Sequence, residues 1–115
     1  PLVQHGLNAM IELYHQQKIS LETIVQKMCH NVAQLFEIDR RGFIREGYKA
    51  DLAIVDMNKS WSVEKSNILY KCGWSPLEGE TMSSKVIHTF VSGQPAYFNE
   101  ELQLETRGER LTFNR

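Results

Sequence analysis

The sequence has little of what marks the specialised protein classes. It holds two cysteines in 115 residues, Cys29 and Cys72, and neither belongs to a CxxC pair. That excludes a disulfide framework and the paired spacing of a structural zinc site, and leaves two reduced, buried thiols as the expectation. No apolar stretch approaches the roughly 20 residues needed to cross a bilayer. No basic segment followed by an apolar run opens the chain, so a secretory signal is not expected, and a cytoplasmic location is. The chain does not start with Met, and an interior segment of a longer protein is expected. Neither sign of charge is in excess. Thirteen Lys and Arg against 14 Asp and Glu give a formal charge of -1, which supplies no basis for a nucleic-acid or anionic-membrane partner.

Catalytic motifs are missing too. His5, His15, His30 and His88 form no HxH, HExxH or HxxxH spacing. Cys29 and His30 are adjacent, hence about 100° apart if helical, and a site joining them to Cys72 and His88 is a remote alternative. The glycines form neither GxGxxG nor GxxxxGK[ST], so no phosphate loop is present. Ser75, His88 and Asp51 supply the residue types of a hydrolytic triad, but no GxSxG elbow frames the serine. His30 is expected at a helix end, bonding free carbonyls.

What is there is ordinary globular material, 42% hydrophobic and 23% charged. Leu7, Met10, Ile11 and Tyr14 recur at helical spacing, with Gln4, Glu12 and Gln16 expected to face water. Ser20 can cap a second helix carrying Leu21, Ile24, Val25 and Met28, and Asn31 a third carrying Val32, Ala33, Leu35 and Phe36. The period changes at Gly42. Gly42 and Gly47 bracket a short strand or turn, and Leu52, Ala53, Ile54 and Val55 read as a strand covered on both faces. Asp51 sits at its entry, and Asp56 is the turn residue that closes it. Trp61 and Val63 suggest a half-buried edge. Residues 85–91 alternate as a strand, Ser92-Gly93 is a turn signal, and 95–98 is the returning strand, with Pro95 favouring an edge. The KCGWSPLEG segment (71–79) implies a fixed irregular loop, and the last fifteen residues a solvated extension. The fold class is α+β: helices first, then a small, mainly antiparallel sheet. A doubly covered strand with few companions, and two amphipathic helices in search of a partner, suit a part of a larger fold better than a free-standing one.

Two segments carry a resemblance. HNVAQLFEIDRRGFIREGYKADLAIVD is similar to the C-terminal signature of amidohydrolase-superfamily enzymes, in which N-x-A leads into G-x-I-x-x-G-x-x-A-D-L. Asn31, Ala33, Gly42, Ile44, Gly47, Ala50, Asp51 and Leu52 occupy those positions, with Val32 where Pro is usual. KCGWSPLEG resembles the Ser/Thr-Pro-Phe-x-Gly element of cyclic amidohydrolases through Ser75, Pro76 and Gly79. The Cys-Gly-Trp lead-in and the opening PLVQHGL resemble dihydroorotases of the bacterial monofunctional kind.

The resemblance implies a (β/α)8 barrel with a small β-sandwich. Residues 1–40 would be its last helices, and 41–115 the C-terminal share of the sandwich. It implies a zinc-activated water attacking the ring amide of dihydroorotate, the reverse reaction closing carbamoyl aspartate. It places the metal ligands (an HxH pair, a carboxylated lysine, two later histidines and an aspartate) upstream of Pro1. No catalytic or metal-binding residue is therefore expected in this chain, and zinc belongs to the longer parent. Only Pro1 and Leu2 are expected to border the substrate pocket. The expected partners are the rest of its own chain, a small-molecule substrate and further copies in a homo-oligomer. A dihydropyrimidinase- or allantoinase-like enzyme, an inactive homologue and a free-standing interaction module are the competing readings.

Overall fold

The structure, a computed structural model, describes residues 1–115. Its contacts group into two compact units that alternate along the chain. Unit 1 joins Pro1–Ser20 to Asp56–Lys85, and unit 2 joins Leu21–Val55 to Val86–Arg115.

Unit 1 opens with helix α1, Gly6–His15. The apolar spacing predicts this helix, and Ile11 is its buried apolar residue. Asn8, however, is buried beside it, while Tyr14 is exposed. Nor do Gln4 and Glu12 simply face water: Glu12 accepts from the Ser83 N–H at 2.5 Å. Strands β2 (Trp61–Ser62) and β3 (Thr81–Met82) pair antiparallel, Trp61 opposite Met82. The Val63 N–H donates to the Glu80 carbonyl (2.9 Å) and the Gly79 N–H to the Val63 carbonyl (2.8 Å). Val63 is thereby fully buried, and with Ile11 and Met82 it forms the apolar core of the unit. A 3-10 turn over Lys65–Asn67 follows. The Asn67 side chain closes it, donating to the Ser62 carbonyl and accepting from the Glu64 N–H.

Unit 2 opens with α2, Leu21–Val25, directly after Ser20. A π-helical turn, Gln26–His30, carries it without a break into α3, Asn31–Leu35. Asn31 is therefore no cap. Its φ of -63° and ψ of -36° are helical, and its backbone belongs to a continuing hydrogen-bonded run. His30 does not end a helix either; its ring lies flat on Phe43, centroids 4.2 Å apart at 5°. The two cysteines expected inside are both exposed.

Gly42 explains how the loop after α3 returns to the helix. Its φ is +80°, and a Cβ there would strike the Ala33 Cβ and lie 2.9 Å from the Cys29 carbonyl oxygen. Only glycine meets both conditions. Residues 43–46 form no strand, a turn begins at Glu46, and Ile44 is 90% exposed.

The sheet runs β1-β4-β5-β6, with β1 Leu52–Asp56, β4 Lys85–Val91, β5 Gln94–Phe98 and β6 Glu101–Leu102. The expected hairpin is present: β4 and β5 are antiparallel, Val91 opposite Gln94. Ser92 and Gly93 both take positive φ (49° and 79°), the backbone that lets a two-residue turn follow the sheet twist. Pro95 lies on an inner strand, not an edge. It is tolerated because β6 pairs only with Tyr97 and Phe98, and because a bulge between Thr89 and Phe90 adjusts the register opposite it. Asp56 closes β1 as expected, its carboxylate accepting from the Asn58 N–H at 2.9 Å. The double cover expected for β1 is not present, since Ala53 and Ile54 are exposed. The C-terminal residues are not a free extension either. The Asp39 N–H donates to the Thr112 carbonyl and the Asn114 N–H to the Glu37 carbonyl, both at 2.8 Å.

Candidate functional site

The buried polar groups of unit 1 gather where the opening segment meets the 71–79 loop. Gln4 works as a clamp. Its amide N–H donates to the Asn67 carbonyl, and its amide oxygen accepts from the Leu69 N–H, each at 2.8 Å. Next to it His5 is completely buried, its Nδ1 3.2 Å from the Ser75 hydroxyl. Ser75 Oγ also accepts from the Leu77 N–H at 3.1 Å, which shapes the loop around Pro76. The Trp61 and Tyr70 rings wall His5 at centroid distances of 5.9 and 6.0 Å. Burial pushes the His5 imidazole below its ordinary value of 6.5, because a charged ring there loses its water. His5 Nε2 and the Tyr70 hydroxyl have no hydrogen-bond partner.

A second polar node lies further along α1. The Ser84 carbonyl accepts from the Asn8 side chain (3.0 Å) and the Trp61 indole N–H (2.8 Å). The Ser84 hydroxyl is 2.7 Å from His15 Nε2. These bonds satisfy groups whose burial would otherwise cost about 1–3 kcal/mol each.

Pro1 and Leu2 are exposed, and the Leu2 carbonyl accepts from the His5 N–H at 3.1 Å. Of the other candidates, Ser75 lies in unit 1 beside His5, and Asp51 and His88 lie in unit 2. Cys72 likewise falls in unit 1, and Cys29, His30 and His88 in unit 2. His88 accepts from the Asn99 N–H and stacks on Phe98 at 4.4 Å. No three His, Cys, Asp or Glu side chains stand close enough to share an ion. His5, Trp61 and Tyr70 were not legible as a cluster: they are 56 and 9 positions apart, and only Ser75 lay in a recognisable motif.

In unit 2 the charged residues form a network. Arg41 is mostly buried and pairs with the Asp51 carboxylate, which also accepts from the Ser92 N–H at 2.7 Å. Partial burial pushes Asp51 up, but the Ser92 N–H, Arg41 and Lys49 together outweigh it and hold the carboxyl below its ordinary value. Glu109 bridges Lys49 (2.7 Å) and Arg41 (3.9 Å). An open groove of about 290 Å³ runs beside α3, lined by Gln34, Arg41, Phe43, Arg45, Tyr48 and Asn114 among others. Arg45 lies over the Phe43 ring at 4.2 Å. This network ties the segment after Gly42 to the hairpin turn, and its acid and base are consumed by each other.

Residues 7–97 match the amidohydrolase family. The chain is 35% identical over 111 residues to the dihydroorotase of Pyrococcus furiosus, covering 96% of this chain and 27% of that protein. It is 31% identical over 98 residues to the allantoinase of Desulfitobacterium hafniense, covering 85% of this chain and 22% of that protein. Among solved structures it is similar to a dihydropyrimidinase from Brevibacillus agri (TM-score 0.71, 24% identity, 80% of this chain and 20% of that one). It is also similar to an L-hydantoinase from Arthrobacter aurescens (TM-score 0.68, 27% identity, 88% and 21%). The chain thus spans about a quarter of the length of the curated relatives it matches. On this agreement of sequence and fold, the chain belongs to the amidohydrolase family.

Proposed function

We propose that this chain is the C-terminal part of a cyclic amidohydrolase that interconverts dihydroorotate and carbamoyl aspartate in the cytoplasm. The observation that carries the reading is the 35% identity to dihydroorotases along 96% of the chain. Its own share of the work is structural. In unit 2 Arg41 and Asp51 pair with each other, and in unit 1 the buried His5 bonds to the Ser75 hydroxyl. The zinc and its ligands belong to the remainder of the parent. Residues 1–40 supply the last helices of a barrel, and 41–115 the C-terminal portion of a β-sandwich. Pro1 and Leu2 border the substrate pocket of the parent.

The exposed apolar surface of unit 2 supports a missing remainder as the partner. Val25, Met28, Val32 and Leu35 leave much of the helical run uncovered, and Ile44 and Ile54 lie open on the segments that follow. Apolar surface of this extent ordinarily marks an interface. The allantoinase relative and the two solved neighbours favour a second reading within the same chemistry, in which the ring amide belongs to allantoin, a dihydropyrimidine or a hydantoin.

Intact mass and metal content of the source protein come first, then turnover of dihydroorotate, allantoin, dihydrouracil and hydantoin. Zinc with turnover of dihydroorotate alone is the expected result. Turnover of another ring amide would move the assignment to that substrate, and no turnover to an inactive homologue. A source protein of 13.3 kDa would make the chain a free-standing structural or interaction module.

A further inference from the structure

We propose that His5 and Ser75 form a pH-sensitive latch that fastens the 71–79 loop to the segment opening α1, closed while His5 is neutral and released when it takes up a proton. Burial and the lack of a second acceptor set the direction. Ser75 Oγ accepts from the Leu77 N–H and lies 3.2 Å from His5 Nδ1, a bond that the neutral imidazole makes with either partner donating. A protonated ring must carry an N–H on Nε2 as well, and that buried atom has nothing to donate to.

The surroundings oppose the charge as well. His5 has no exposure to solvent, and its Nε2 has no partner to receive a second N–H. The groups around it are the Trp61 ring and the Tyr70 ring, whose phenol is also unpartnered. Lys85 places a further positive charge 5.7 Å above the Trp61 ring. No carboxylate bonds to His5; its hydrogen-bond partner is the Ser75 hydroxyl. The loop residues Lys71 and Glu78 are exposed. The Gln4 clamp on Asn67 and Leu69 contains no titrating group. The device therefore has one hinge that responds to pH and one that does not.

The open state binds a proton with the ordinary histidine value of 6.5, the closed state only at lower pH. The latch is at full strength above pH 6.5 and weakens below it, about tenfold per unit, until the lowered closed-state value is passed.

The test is amide hydrogen exchange on the intact chain between pH 8 and 5, corrected for intrinsic rates, with the His5 ring followed by NMR. The expected result is that His5 titrates below 6.5 and that Leu77 protection falls about tenfold per unit from pH 6.5. Leu69 protection stays constant, and His5→Gln makes Leu77 protection flat. Should that variant fail to fold, the wild-type ring titration and the Leu77 to Leu69 contrast decide. A His5 that titrates at 6.5 or above, Leu77 protection that ignores the titration, or a parallel loss at Leu77 and Leu69 would each overturn the latch.

Discussion

The two units bury different things. Unit 1 encloses Ile11, Val63 and Met82 together with His5, Asn8, Ser75 and Ser84, whereas the longer unit 2 fully buries only Ile24 and Ala33. Unit 1 has closed its core over polar groups by giving nearly all of them partners within the unit. Unit 2 has instead paired its charges with one another and left most of its apolar residues open. The difference separates a region that satisfies itself from one built to be covered. An exposed sheet and helix face gain little free energy until something packs on them.

The largest effect expected on either unit comes from Gly42→Ala. A positive φ on a residue with a Cβ, added to a clash with Ala33, should cost about 2–5 kcal/mol in denaturant unfolding followed in unit 2. A cost near zero would show that the close approach is not what orders the loop. Met82→Ala is the matching test of unit 1. Truncating a buried Met should cost about 2–4 kcal/mol, with exchange protection lost around Val63 and retained near Ala33.

Asp51→Asn sharpens the contrast from the other side. It weakens the bonds from Arg41 and the Ser92 N–H, for a loss of about 1 kcal/mol. Because the native value lies below the ordinary 3.8, wild type keeps this stabilisation above pH 3.8 and loses it as pH falls through the lowered value. The variant should lack that acid-limb slope. Glu109→Gln should change stability less than Asp51→Asn, since its side chain is half exposed and its ion pairs lie at the surface. The smallest stability change belongs to Leu35→Lys, within about 0.5 kcal/mol, but sedimentation should show less self-association. Unchanged association would remove the view of that face as an interface.

Much of the local structure was legible. The period of Leu7, Ile11 and their neighbours marked α1, the alternation over 85–91 marked β4, and Ser92-Gly93 marked the turn to β5. The Gly42 position in the family signature found its reason in one close approach. Asn31 misled because a π-helical turn keeps the chain helical through a residue that elsewhere caps. Pro95 misled because the two-residue neighbour strand β6 stops short of it, which leaves one side of an inner strand unpaired at that position.

The sequence by itself determined the periodicities, the turn chemistry and the family, since each depends on residues near one another in the chain or matched in order. The tertiary structure alone decided the rest. His5 meets Ser75 across 70 positions, Ser84 gathers Asn8, Trp61 and His15, and Arg41 finds Asp51 and Glu109. Nothing in local spacing encodes such meetings. They arise because chain segments that bury apolar surface together must also satisfy the polar groups they carry inside.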